Sequence, residues 1–280
     1  MGVRVVTDSS AVIPRTWVDA YGIDVVPLQL AWPDGRVLKG DPPYSDVPDE
    51  VLRRTPPSTA APSPGAFAEL FERRLAEGND VIVVTPPTQF STTFSGATLA
   101  ARNIGGERIR VLDGRTAAAG QGIVAAEAAR CAASAPTTSL DDVCDAALRA
   151  ASHTEIWATL AQLEYLRRSG RVPAVAAIGA GALRIQPVVR YAGGNPTPVG
   201  VTRSAAGAAE RLLRAFERSV LAGGRLRLVA FHCEREDEAS TLVSRVIGHV
   251  PGAEAHVVPV TASLAAHTGP GLLGLAWLWD

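Results

Sequence analysis

Three stretches of this chain gather hydroxyl side chains: Thr7-Asp8-Ser9-Ser10, the run STAAPSP from Ser58 to Pro64, and TQFSTTFSGA from Thr88 to Ala97. Each stands where a short β-branched run ends or a helical pattern starts, so free backbone N–H groups and the helix dipole favour an anion there. Any one of them alone reads as ordinary capping by Ser and Thr. Three of them in one α/β half, along the edge where such sheets bind ligands, point to a site for an anionic small molecule. A fourth feature closes the sequence, AAHTGPGLLGLAWLWD, in which His267 precedes a Thr-Gly-Pro-Gly turn and a run of leucines and tryptophans. The glycines and the proline make a tight turn and the run behind them reads as a final core strand, which puts the imidazole at the rim of an apolar interior. With its ordinary pKa of about 6.5, a negative neighbour is expected to favour the charged form near neutral pH.

Other chemistries lack their local geometry. There is no G-x-x-x-x-G-K-[ST] loop, no G-x-S-x-G elbow and no H-E-x-x-H helix, and GAGALR at 179–184 has two of the three glycines of a dinucleotide loop. His153, His232, His249, His256 and His267 are scattered without ligand spacing, so no metal and no cofactor are expected. Cys131, Cys144 and Cys233, an odd number at no metal spacing, read as reduced thiols. With 27 basic and 28 acidic residues there is no electrostatic footprint for nucleic acid or for an anionic lipid surface. The start MGVRVVTDSS has no signal-peptide core, and no apolar window reaches the ~18 residues of a membrane span, so a soluble cytoplasmic chain is expected. A rival enzymatic reading uses Ser91 or Ser63 as nucleophile with His267 as base and Asp8 as its acid, in a small-molecule hydrolase or acyltransferase. It lacks an elbow and an oxyanion loop. A third reading leaves the hydroxyls as caps on a protein that only makes interactions.

A length of 280 residues and 47% hydrophobic content suit two α/β domains with substantial cores. Runs at 3–10, 23–32, 81–86 and 108–113 are short strands separated by helical patterns, the mark of βαβ units and a parallel sheet. Ser63-Pro64 opens a helix that buries Phe67, Leu70, Phe71 and Leu75 and ends at Gly78. Ser139 and Asp142 form a capping box ahead of a helix with Ala147 and Leu148 on its apolar side. The pattern restarts near residue 153, giving expected domains of 1–152 and 153–280. The second holds a strand, a helix, a hairpin turning at Gly193-Gly194-Asn195, further strands at 225–232 and 255–260, and a helix whose stripe is Leu212, Leu213, Phe216 and Val220.

Taken in order, VTDSSAVIP, STAAPSP, FSTTFSGA, LEYLRRSGRV, LRIQPVV and HTGPGLLGLAW resemble the motifs of the DegV family of bacterial fatty-acid-binding proteins, across essentially the whole chain. The resemblance implies two α/β domains with the ligand held at their junction and its acyl chain in an internal tunnel to which residues 153–280 contribute. It implies a lipid-binding protein with no catalysis of its own, which presents a long-chain fatty acid to a separate fatty acid kinase for conversion to acyl phosphate. Carried over by motif, Thr59 and Ser91 become hydroxyl donors to the carboxylate, with His267 close by. Asp8 and Ser9 lie in the opening motif near the same sheet edge, and Arg171 and Arg203 match basic positions that meet the kinase or the acyl phosphate. The chain departs from the family pattern at Ala60-Ala61, at Ser169, at Gln186 in place of a lysine, and at Thr92 in place of a glycine, where a β-branched residue restricts the backbone. Burying roughly fifteen methylenes at about 0.8 kcal/mol each supplies on the order of 12 kcal/mol, so the head group needs only enough donors to avoid an unsatisfied carboxylate.

Overall fold

In the computed structural model, which describes residues 2–47, 57–104, 106–171, 185–221 and 224–280, the chain divides into two compact units. The first is Met1–Asp41 with Pro57–Ser152 and the second is Pro42–Pro56 with His153–Asp280. The stretch GAGALR at 179–184 lies outside the described residues.

The first unit runs β1 (Val3–Asp8), α1 (Arg15–Tyr21), β2 (Asp24–Val26), β3 (Gln29–Ala31), β4 (Val37–Lys39), β5 (Ser58–Ala60), α2 (Pro64–Ala76), β6 (Asp80–Thr85), α3 (Thr93–Ile104), β7 (Ile109–Asp113), α4 (Ala118–Ala132) and α5 (Leu140–His153). β2, β1, β6 and β7 form a wholly parallel sheet in that order. A parallel sheet wound on both faces needs strands that are apolar throughout, and β6 obliges with Val81, Ile82, Val83 and Val84, all buried. Val6, Val81 and Val83 face a core with Phe67, Leu70 and Phe71 of α2 and Ala97, Ala100 and Ala101 of α3. Each large side chain fully buried there contributes about 1.5–3 kcal/mol. The residues between them in the strands point the other way, toward α4. That helix is rich in Ala and Gly and is buried along most of its length. Close approach explains Gly122, where a Cβ would stand 2.6 Å from the Val12 carbonyl oxygen.

The caps follow the sequence pattern. Ser63 Oγ accepts from Ala66 N–H at 3.2 Å at the start of α2, and Ser139 and Asp142 exchange hydrogen bonds at 3.0 and 3.1 Å ahead of α5. Two expectations need correcting here. The run 23–32 is not one strand, because Pro27 lacks the N–H that a continuing ladder needs. β2 joins the parallel sheet, while β3 turns into a separate antiparallel sheet of order β4-β3-β5. Leu148 is exposed at 47%, because the α5 stripe runs through Val143, Cys144, Ala147, Ala150 and Ala151 and Leu148 lies roughly a quarter-turn off its centre.

The second unit contains β8 (Glu155–Thr159), α6 (Leu163–Ser169), β9 (Gln186–Ala192), β10 (Asn195–Thr202), α7 (Ala205–Glu217), β11 (Leu226–His232), α8 (Glu236–His249), β12 (Glu254–Pro259), α9 (Ala262–Thr268) and β13 (Leu273–Trp279). Its six-stranded sheet has the order β10-β9-β8-β13-β11-β12, with β13 antiparallel to both neighbours and β11 parallel to β12. β9 and β10 form the hairpin expected at Gly193-Gly194. Leu212, Leu213 and Phe216 of α7 and Leu242 and Val246 of α8 pack on Leu228, Ala230, Leu275 and Trp277. Phe216 meets Trp277 edge-on with ring centroids 5.7 Å apart. Val220 does not belong to this stripe, since α7 is capped at Arg218 and Val220 is exposed. The second unit also takes in residues from the first half of the chain: Tyr44 N–H donates to Val260 O at 3.0 Å and Ala262 N–H to Pro42 O at 2.9 Å.

Candidate functional site

In a sheet of order β2-β1-β6-β7, the chain leaves β1 toward one side for β2 and toward the other for β6. The C-terminal ends of β1 and β6 therefore flank the switch point where open α/β sheets hold ligands. Asp8 is the last residue of β1 and is 1% exposed. Its Oδ1 accepts from Ser10 N–H at 3.1 Å, Ser10 Oγ at 2.5 Å and Gln121 Nε2 at 3.1 Å. Its Oδ2 accepts from Thr93 Oγ1 at 2.7 Å. Burial pushes the Asp8 carboxyl above its ordinary range, against the opposing pull of the hydrogen bonds from Ser10, Thr93 and Gln121. Gln121 also donates to Thr7 Oγ1 at 3.0 Å, and Thr7 donates to Val84 O at 2.9 Å, which closes the network onto the central strands.

Ser91 precedes α3 and is half-buried. Its Oγ accepts from Thr93 N–H at 3.2 Å and lies 2.9 Å from Thr93 Oγ1. Asp8 and Ser91 are thus brought together through Thr93, a buried link that the sequence reading missed. The signal for Gln121 was present in the sequence: one polar residue inside the apolar stretch AAGQGIVAA. Thr92 is exposed and lies outside the left-handed region, where the described non-glycine residues are Arg115, Ala118 and Glu234, so replacing glycine here strains no backbone. Ser9 spends its hydroxyl on the scaffold, donating to Asp41 Oδ2 at 2.6 Å and accepting from Leu28 N–H at 2.9 Å. Thr59 is half-buried on β5, paired with Leu30 of the small sheet.

In the second unit His267 and Arg171 meet. His267 occupies the last turn of α9, and Arg171 follows Gly170, the left-handed cap of α6. Arg171 Nη1 stands 3.5 Å from His267 Nδ1 and donates to Ser169 O at 3.1 Å. Ser169, one of the departures from the family pattern, is absorbed as a cap: its hydroxyl donates to Leu166 O at 2.8 Å and accepts from Arg171 N–H at 3.4 Å. Burial, and then the Arg171 guanidinium, push the His267 pKa down to about 4. The charged imidazole expected near neutral pH depends on a bound anion, whose charge would pull the other way. The protein's own groups favour the neutral ring, with Nδ1 turned to a cation and therefore the proton on Nε2. Burial lowers the pKa of Arg171 as well. Gln186, which stands where the family has a lysine, opens β9 with its Oε1 buried and without a hydrogen-bond partner among the described residues. Arg203 is exposed between β10 and α7.

Of the residues in the hydrolase reading, Asp8 accepts from Ser10, Gln121 and Thr93, and Ser63 caps α2. Among the described residues, no group of three or more His, Cys, Asp or Glu is placed to hold a metal ion, and no helix is long and apolar enough to cross a membrane.

Comparison with known proteins places these features in a family. The chain is 34% identical over 277 residues to a DegV domain-containing protein of Streptomyces coelicolor, covering 98% of this chain and 97% of that one. Among solved structures it is similar to a DegV family protein from Thermus thermophilus described for its fatty acid binding, with a TM-score of 0.90, 27% identity and full coverage of both chains. It shares its fold with DegV of Bacillus subtilis, described as a fatty acid binding protein, at a TM-score of 0.88 and 24% identity, again over both whole chains. The model of the DegV family, described as uncharacterised proteins, matches residues 2–280, and the chain belongs to that family.

Proposed function

We propose that this protein binds one long-chain fatty acid in an internal tunnel, takes its carboxylate with the hydroxyls of Thr59 and Ser91, and presents it in the cytoplasm to a separate fatty acid kinase. His267 supplies a further donor to the head group, and Arg171 and Arg203 meet the kinase or the acyl phosphate. The chain itself carries out no catalysis. The observation that carries this reading is the full-length likeness, at 27% identity, to a Thermus thermophilus protein described as binding fatty acid. The chemistry of the residues supports it. Ser91 is a neutral hydroxyl held at a helix start, and a neutral donor can accept a carboxylate or an acyl phosphate without the deep trap of a bidentate arginine. A neutral His267 donating through Nε2 suits the same task.

Protein purified from a bacterial host is expected to release long-chain fatty acid on denaturing extraction, near one equivalent by mass spectrometry. Thr59→Val combined with Ser91→Ala is expected to weaken binding of a fluorescent fatty acid by a few kcal/mol, since each donor to a buried charge is worth roughly 1.5–3 kcal/mol. No acyl species from several preparations, or an unchanged affinity in the folded double variant, would remove the head group from these turns.

A further inference from the structure

The proton inventory of the switch-point network has a consequence for Ser91. In its ionised form Asp8 has no proton to give, so in that form the single hydroxyl proton of Thr93 goes to Asp8 Oδ2, 2.7 Å away. Thr93 can then face Ser91 only as an acceptor. Ser91 Oγ already accepts from Thr93 N–H, and the 2.9 Å contact between the two hydroxyls is made with Ser91's own proton. That proton therefore points inward. We propose that Asp8 and Thr93 are positioning residues that hold the Ser91 hydroxyl proton inward, so that Ser91 becomes a donor to an anionic head group only by giving up its bond to Thr93. The inference rests on the reading of Ser91 as a head-group donor. It gives the buried carboxylate a role: the bond that must be broken is subtracted from the affinity of the head group and leaves the acyl chain exchangeable.

Asp8→Asn tests the idea, because three donors converge on Oδ1 and only Thr93 on Oδ2. The amide carbonyl stays with the three donors and the NH2 faces Thr93. Thr93 then accepts from Asn, gives its proton to Ser91, and the Ser91 proton turns outward. The affinity for a fluorescent long-chain fatty acid is expected to tighten about three- to tenfold, the net worth of one hydrogen bond. In the Ser91→Ala background the same substitution is expected to change nothing. A purely structural Asp8 predicts weaker binding in both backgrounds. Affinity equal to or below wild type with Ser91 present, or a tightening that persists without Ser91, overturns the proposal. Thr93→Val removes the acceptor by another route, is expected to tighten binding in the same Ser91-dependent way, and serves if Asp8→Asn does not fold. A ligand-free measurement separates this inference from the binding reading. The Thr93 hydroxyl proton is expected at low field in the proton NMR spectrum of the wild type and at higher field in Asp8→Asn, and equal shifts in the two overturn the relay. Equal fatty-acid affinity of wild type and Ser91→Ala would instead sink the head-group reading, while the shift still reports on the relay.

Discussion

At the scale of single residues, His267 carries a testable coupling between pH and stability. Its pKa falls from an ordinary value near 6.5 to about 4, through burial first and Arg171 second. Between those values the unfolded chain binds a proton that the folded protein does not, so stability is full above about pH 6.5 and is lost as pH falls toward 4. A shift of that size corresponds to roughly 3 kcal/mol. Burial also depresses His232 and His256, so the signal is the difference between proteins. Urea midpoints at pH 7 and pH 4.5 are expected to separate by less in His267→Gln than in wild type. An equal acid loss in the two would show that His267 titrates normally. The residue type and its place before Thr-Gly-Pro-Gly were legible in the sequence. Its protonation state was not, because it follows first from burial by the tertiary fold and then from Arg171, 96 residues away.

At the scale of elements, the turn from α9 into β13 depends on Gly269. Its φ of 74° and ψ of 173° lie in a region that is essentially closed to side chains, and a Cβ there would stand 2.5 Å from the Tyr165 ring. Gly269→Ala is expected to cost at least the roughly 1–3 kcal/mol of that backbone strain, plus the displacement of Tyr165 on α6. A lowered melting temperature with unchanged far-ultraviolet circular dichroism at 20 °C is the expected result, and wild-type stability would mean that the turn relaxes freely. Capping and periodicity are local and were legible for Ser63, Ser139 and Leu212, Leu213 and Phe216 of α7. They misled at Pro27, where a single apolar run serves two sheets, at Leu148, where a leucine sits off its helix's buried face, and at Val220, which lies beyond the cap of α7.

At the scale of the whole molecule, a ligand bound only by the folded state stabilises it by mass action. Oleate at a free concentration near one hundred times its Kd is expected to add about 2.7 kcal/mol, read as a rise in melting temperature that grows with concentration. Octanoate, which offers a carboxylate but far fewer methylenes, is expected to produce little rise at the same concentration, because the tail supplies most of the affinity. Equal shifts from the two acids would place the energy of binding in the head group and contradict the tunnel reading.

The amino-acid sequence by itself determined the alternating strands and helices, the hydroxyl turns at strand ends and helix starts, the caps, and the Gly-rich entry to the last strand. All of these depend on backbone period and on hydrogen bonds spanning a few residues, so they are written within a single window of the chain. Tertiary structure alone decided that Asp8 accepts from Thr93, 85 residues away, and from Gln121, 113 residues away. It also decided that residues 42–47 join the second unit. Those partners follow from the strand order β2-β1-β6-β7 and from which helix covers which face, and local propensity is the same for every order that keeps the same strands. The residue types at these positions were therefore readable in the sequence, while the hydrogen-bond partners of Asp8 and the meeting of His267 with Arg171 depended on through-space neighbours.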